Sequence, residues 1–329
     1  MRALVTGGGG FLGRAIVGQL LNAGWSVRSF GRGPQPSLQA LGVDVYQGNL
    51  ADAVALEKAV AGCDAVIHTA AKAGVWGSWE DYFRPNVVGT RNVLAACHNQ
   101  NVGRLVYTST PSVVFNGQSH AGADESLPYG INFPCHYPAT KAIAEKEVLS
   151  AHDPKKLCVV ALRPHLIWGA GDPHLVPRIL TRAHRLRIIG GGKNRVDLTH
   201  VRNAARAHVL ALEALANPAH PAGGHVYFIS DDAPVYLWEW INNFLGRLGK
   251  TPIDRSVPLT AAFAAGFAME CLWKAFPFFL QGEPPMTRFV ATELAKDHWY
   301  DISAAKRDLG YVPPENLSAA LNELVVSLK

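Results

Sequence analysis

The first 165 residues alternate short apolar runs with stretches whose apolar residues recur at helical spacing. Arg2–Thr6, Ser26–Phe30, Val43–Gln47, Ala65–His68, Arg104–Ser109 and Leu157–Leu162 read as strands. Between the first two, Leu12, Ile16, Leu20 and Leu21 share one face of a helix over Phe11–Ala23 that stops at Gly24. Asp52 stands where an N-cap belongs, ahead of a helix that runs through Ala61 to Gly62. Nearly continuous apolar strands separated by helices predict a parallel sheet covered on both faces.

After Arg163-Pro164 the pattern loosens and Gly190-Gly191-Gly192 marks a loop. Val226–Ser230 reads as one more strand and Val235–Leu248 as an aromatic-rich helix, with short helices after Ser303 and Leu317. Ala261–Leu280 is apolar enough to suggest a membrane span, but Glu270, Lys274 and Pro277 interrupt it. Charges at mid-bilayer are costly, so the expectation is a greasy helix ending near Pro277.

Composition narrows the function. With 48% hydrophobic and 17% charged residues among 329, the chain can bury a large core. A net charge of +5 without any Lys/Arg stripe suits small anionic ligands and argues against nucleic acid. Five scattered cysteines lack a C-x-x-C pair, so neither metal nor disulfides are expected, and a reduced, cytoplasmic setting fits. The chain opens on a strand, and no leader peptide is expected.

Thr6-Gly7-Gly8-Gly9-Gly10-Phe11-Leu12-Gly13 joins the first strand to the first helix. Glycines at 7, 10 and 13 let the backbone turn tightly and approach a pyrophosphate, which the helix N-terminus then faces. A tight turn without ligand is the plain alternative. An NAD-selective site usually carries an acid after the second strand, whereas Gly31 and Arg32 stand here. A guanidinium suits a 2′-phosphate, so NADP is expected over NAD, against the alternative of a solvated loop charge.

Tyr137 and Lys141 lie at i and i+4, on one face if helical. An ammonium beside a phenol would lower the phenol pKa and fit it for proton exchange. A hydroxyl from the end of the Arg104–Ser109 strand should support the reacting oxygen, with Thr110 preferred and Ser109 second. Strand-end capping accounts for the same hydroxyls without chemistry, and an exposed helix face is the bland reading of the Tyr/Lys pair.

The ordered set TGGGGFLG (6–13), HTAAKAG (68–74), NVVGTRNV (86–93), YTSTPSVVF (107–115), YPATK (137–141), LRPHLIWGAGD (162–172) and YDISAAKRDLGY (300–311) resembles the extended short-chain dehydrogenase/reductases over nearly the whole chain. AKAGVWGSWEDYF (71–83), NFPCHYPATK (132–141) and GEPPMTRF (282–289) make it similar to the 3β-hydroxysteroid dehydrogenase branch. Within that branch it looks like sterol-4-carboxylate 3-dehydrogenases and, more closely, bacterial 2-alkyl-3-oxoalkanoate reductases. The resemblance implies an α/β fold: a Rossmann-type doubly wound parallel sheet with a smaller, mostly helical C-terminal lobe. Residues 1–165, with a return near 196–232, would bind the dinucleotide. Residues 166–195 and 233–329 would bind substrate.

The resemblance also implies Thr110, Tyr137 and Lys141 as the catalytic set. Gly7, Gly10, Phe11, Leu12, Gly13, Arg32, Asn49, Leu50, Ala70, Ala71, Lys72, Pro164, His165 and Leu166 would line the dinucleotide site. Asn49 replaces the usual Asp, and Arg202 stands at a position often held by Asp. Asn86 and Asn92 would brace loops.

Trp and Phe crowd the stretch from Trp238 to Phe279, which suits an alkyl or sterol substrate better than a sugar nucleotide, although core packing explains most of them singly. Ala261–Leu280 could wall an alkyl channel or rest on a membrane surface. Ser112 and Arg288 are candidate substrate contacts, Arg288 by pairing with a carboxylate. The expected activity is NADPH-dependent reduction of a long-chain 2-alkyl-3-oxoalkanoate by a homodimer. A 3β-hydroxysteroid or sterol-carboxylate dehydrogenase, a sugar-nucleotide epimerase, and a non-catalytic dinucleotide-sensing binding protein are the alternatives.

Overall fold

The computed structural model describes residues 1–329. Seven strands form one parallel sheet: β1 (Arg2–Thr6), β2 (Ser26–Gly31), β3 (Asp44–Gln47), β4 (Ala65–His68), β5 (Arg104–Thr108), β6 (Cys158–Pro164) and β7 (Val226–Ile229). Their spatial order is β7-β6-β5-β4-β1-β2-β3. Chain direction across the sheet reverses between β1 and β4, and a crevice opens there beyond the carboxyl ends of the strands. This is the doubly wound α/β fold that the alternation of strand and helix predicts.

Strand alternation decides which side chains meet which helices. On β5, Leu105 and Tyr107 pack with Ala144 and Val148 of the His136–Ser150 helix, while Val106 faces the opposite layer. That opposite layer holds the Phe11–Asn22 and Val201–Ala214 helices, which pack against each other. β7 pairs with β6, so the chain returns to the sheet after its excursion through residues 166–195.

A separate apolar core surrounds Trp168, Trp238, Trp240 and Phe244 in the C-terminal lobe. A small sheet of Val235–Tyr236, Arg195–Val196, His298–Tyr300 and His120–Ala123 ties the lobe to the loop after β5. The greasy segment forms a helix over Leu259–Ala275, close to the expected end at Pro277. No helix is long and apolar enough to cross a membrane.

Candidate active site

The glycine loop is a cradle with no room for side chains. Gly7 takes φ +73°, a left-handed conformation that glycine adopts freely. A Cβ on Gly13 would lie 2.1 Å from the Gly7 carbonyl oxygen, and one on Gly8 would lie 2.3 Å from Ser29 Oγ. The helix therefore starts directly against the strand end, and a phosphate can approach the N–H groups of its first turn. Ala70 packs against Gly7 from the loop after β4. Asn86 holds that loop, accepting from Lys72 N at 2.7 Å and donating to Lys72 O at 3.0 Å. By these observations the cradle fits a dinucleotide pyrophosphate.

At the far end of the cradle, Arg32 follows β2, exposed and without a carboxylate partner. Asn49 Oδ1 accepts from Ala51 N at 3.0 Å, and Leu50 is buried beneath, its carbonyl held by Asn92 at 2.8 Å.

Tyr137 and Lys141 lie in the first turns of the His136–Ser150 helix, on the side facing β5. Thr110 leaves β5 and caps the short turn Pro111–Val114. Its hydroxyl meets Ser112 Oγ at 3.2 Å and is near enough to the Tyr137 phenol to lower its pKa. Ser109 faces elsewhere, and its buried hydroxyl has no partner. The structure thus places Thr110 beside Ser112 and near Tyr137, with the Lys141 amine held at Thr108, the last residue of β5.

The electrostatics correct one expectation. Burial pushes Tyr137 up to about 12, against a smaller lowering by the Thr110 hydrogen bond. The expected lowering by Lys141 is not found, because the Lys141 amine is held elsewhere. It donates to Tyr107 Oη and to the Thr108 carbonyl, both at 2.6 Å. Burial drags Lys141 itself down to about 7, opposed by Glu145 one turn on. A protonated phenol at neutral pH is an acid, as ketone reduction requires.

Behind Lys141 runs a buried polar chain that sequence reasoning missed. His68 Nδ1 lies 2.6 Å from Thr6 Oγ1, and Nε2 lies 3.1 Å from Thr90 Oγ1. Burial, with Lys141 second, pushes His68 down to about 3, so the ring is neutral. Thr90 gives its hydroxyl proton to Asn86 O at 2.6 Å, which makes His68 Nε2 the donor and Nδ1 the acceptor. The chain joins the lysine neighbourhood to the end of β1. The signal was available: on β5, Tyr107 shares the face of Leu105, which the period of two turns toward the catalytic helix. One turn beyond Lys141, Glu145 forms a fully buried bidentate pair with Arg163, at 3.0 and 2.6 Å.

One further expectation is revised. Arg288 is not free for a substrate carboxylate. Its backbone N and Nε bond Glu270 at 2.7 and 2.8 Å, so its charge is already matched. The His165 ring meets His298, with Nε2 2.6 Å from His298 Nδ1. Beside it, Leu166 adopts φ +38°, a strained conformation for a leucine and a kind that clusters at functional sites. Arg202 pairs with Glu315 and Glu323, away from these residues. Of the lobe aromatics, Trp238, Trp240 and Phe244 are core, whereas Phe263, Phe267, Phe276, Phe278 and Phe279 face solvent.

Comparison with known proteins fits this geometry. The profile of the 3-beta hydroxysteroid dehydrogenase/isomerase family matches residues 4–259. The chain belongs to that family. It is 48% identical to a 2-alkyl-3-oxoalkanoate reductase of Stenotrophomonas maltophilia, covering 99% of each chain. It is 32% identical to the mouse (Mus musculus) sterol-4-alpha-carboxylate 3-dehydrogenase, decarboxylating, covering 99% of this chain and 90% of the relative. Among solved structures, a short-chain dehydrogenase/reductase superfamily protein from Agrobacterium tumefaciens with bound NAD superposes at TM-score 0.76. It is 21% identical and covered over 97% of its length, with 100% of this chain covered. The protein is an NAD(P)-dependent oxidoreductase of the short-chain dehydrogenase/reductase superfamily.

Proposed function

We propose that the protein reduces the ketone of a long-chain 2-alkyl-3-oxoalkanoate to the 3-hydroxy acid, with NADPH as the reductant. What supports this reading is the Lys141 amine held at the end of β5 by Tyr107 and the Thr108 carbonyl, one helical turn after Tyr137, with Thr110 two residues beyond Thr108. When bound, NADPH supplies the hydride that becomes the new C–H bond at the carbonyl carbon. Tyr137 gives its phenol proton to the carbonyl oxygen, and Thr110 donates a hydrogen bond to that oxygen as charge develops. Tyr107 and Thr108 hold the Lys141 amine in register with the phenol one turn before it. The closely similar reductase from Stenotrophomonas supports the substrate class, in an olefin or other lipid pathway. Gly7, Gly10, Phe11, Leu12 and Gly13 would hold the pyrophosphate, with Ala70, Ala71 and Lys72 above it. Asn49 and Leu50 would hold the adenine, and Pro164, His165 and Leu166 the nicotinamide side through their backbone. Arg32, exposed and unpaired, would take the 2′-phosphate, and a homodimer is the proposed assembly.

NADPH oxidation with 2-alkyl-3-oxo acids, sterol carboxylates and 3β-hydroxysteroids run in parallel tests the substrate. The 2-alkyl-3-oxo acid should give the highest kcat/KM. A higher value for a sterol would move the assignment to the sterol-carboxylate dehydrogenases. Tyr137→Phe should lose about 10²–10⁴-fold in kcat, the usual worth of a positioned acid. Retained turnover would remove the proposed acid. Binding of NADPH without turnover of any ketone would instead fit a dinucleotide-sensing protein. Arg32→Ala should narrow the NADPH/NADH ratio of kcat/KM about tenfold, the equivalent of one charge-assisted contact.

A further inference from the structure

The Leu259–Ala275 helix is turned inside out. Only Ala262, Gly266 and Glu270 are buried, a stripe one residue wide at four-residue spacing. Along that stripe it packs on the Arg288–Glu293 helix, so tightly that a Cβ on Gly266 would lie 2.7 Å from the Thr287 carbonyl carbon. Most of the rest of its surface is exposed and apolar, including Phe263, Phe267 and Leu272. The chain then continues through Phe276, Pro277, Phe278 and Phe279, with Phe278 90% and Phe279 84% exposed. A contiguous apolar surface of this kind marks an interaction site rather than ordinary surface composition.

The charge beside it identifies the occupant. From Pro173 to Val196 the chain holds Arg178, Arg182, Arg185, Arg187, Lys193 and Arg195, and no Asp or Glu. This segment brackets the helix at both ends. Ile188–Ile189 pairs with Ser256–Val257, just before the helix starts. Arg178 pairs with Glu283 at 2.5 Å and Arg182 donates to Pro285 O at 3.2 Å, just after the aromatic loop. Arg178 is matched by its partner, but Arg182, Arg185 and Arg187 face no carboxylate. On the helix itself Glu270 is consumed by Arg288, which leaves Lys274 as its exposed charge.

We propose that this face, the Leu259–Leu280 segment with its arginine flank, docks on a lipid surface carrying anionic headgroups. Aromatic and aliphatic side chains enter the headgroup boundary, and the unmatched cations neutralise phosphates around them. A second copy of the chain fits less well. A two-fold pairing through this face would offer the unmatched cations no free carboxylate, since Glu270, the one acid of Leu259–Leu280, is already paired with Arg288.

The face also ends at the active-site mouth. Lys274 is near enough to His136, the neighbour of Tyr137, to add to the effect of burial in lowering its imidazole pKa. Glu283 lies 3.0 Å from the Cβ position of Gly74, in the loop that Asn86 braces beside the cradle. A docked enzyme would therefore present its mouth to the bilayer and draw a long-chain ketone from it. That substrate route rests on the reductase reading, but the docking does not.

Sedimentation of the full-length protein with vesicles of phosphatidylcholine, with and without 30–50% phosphatidylglycerol (roughly the anionic content that makes surface attraction strong), tests the docking. Binding to the anionic vesicles at low salt should weaken at least tenfold in Phe278→Ser/Phe279→Ser. A similar loss should follow in Arg182→Gln/Arg185→Gln, and for the wild type in 0.5 M salt, roughly the range where such attraction is screened. No binding to anionic vesicles, or binding that neither double variant weakens, overturns the proposal. So does light scattering that finds a wild-type dimer falling to monomer in Phe278→Ser/Phe279→Ser, which would assign the face to a second copy. Turnover of a short, water-soluble 3-oxo acid should be unchanged in both variants, which checks folding. If no ketone is turned over at all, the reductase reading fails while vesicle binding still decides the docking.

Discussion

The nucleotide-binding half and the C-terminal lobe handle polarity in opposite ways. In the first, titratable and polar groups are buried and matched: Lys141 with Tyr107 and Thr108, His68 between Thr6 and Thr90, Glu145 with Arg163. In the second, apolar side chains are exposed: the Leu259–Ala275 helix buries only a narrow stripe, and Phe276, Phe278 and Phe279 just after it stand in solvent. Burying a polar group is tolerable only with partners, so the buried network implies that each group has a use or a fixed position. Exposing a phenylalanine forgoes the free energy of burying it, so an exposed cluster implies that something else covers it during function. One half is organised around a reaction and the other around an encounter.

The largest test of this contrast sets two phenylalanines against each other. Phe244 is fully buried in the lobe core, and Phe278 is 90% exposed. Phe244→Ala should destabilise the protein by about 3–5 kcal/mol, the usual cost of truncating a core aromatic. Phe278→Ala should change stability by less than about 0.5 kcal/mol, as surface substitutions do. Urea titration of both variants checks this, and a large loss from Phe278→Ala would mean the aromatic loop is core in solution.

The second test uses Lys141, which burial holds down to about 7 in the fold against an ordinary value of 10.5. Between those two values the unfolded chain holds a proton that the folded chain has lost. Stability contributed by this group therefore rises with pH across that window and is lowest below pH 7, where the ammonium must be buried. Lys141→Met should flatten the slope of unfolding free energy between pH 7 and 10 (roughly the window over which the two states differ in protonation). Thermal or urea melts without added nucleotide read it. An unchanged slope would mean the amine stays protonated in the fold.

The smallest effect is expected from Tyr107→Phe, which keeps the ring and removes one acceptor from the Lys141 amine. Losing an acceptor disfavours the ammonium, so the alkaline limb of the pH–rate profile should move to lower pH, with a several-fold drop in kcat and KM nearly unchanged. Equal loss at every pH would assign Tyr107 to packing alone.

The tight glycine turn into the first helix and the shared helix of Tyr137 and Lys141 were readable because both are local: a strand, a turn and a helix face are set by spacing within a dozen residues. Arg288 was misread because its meaning is not local. An arginine beside an apolar run looks available until Glu270, eighteen positions away, is seen to hold it.

The linear order of residues therefore determined the doubly wound sheet, the tight glycine turn and the helix that carries Tyr137 and Lys141, since periodicity and backbone stereochemistry act between near neighbours. Only the tertiary structure decided that Tyr107 and Thr108 anchor the lysine and that the Leu259–Ala275 helix shows its apolar side to solvent. Both depend on which distant segments pack together, and a hydrophobic residue carries no mark that says whether it will face the core or the outside.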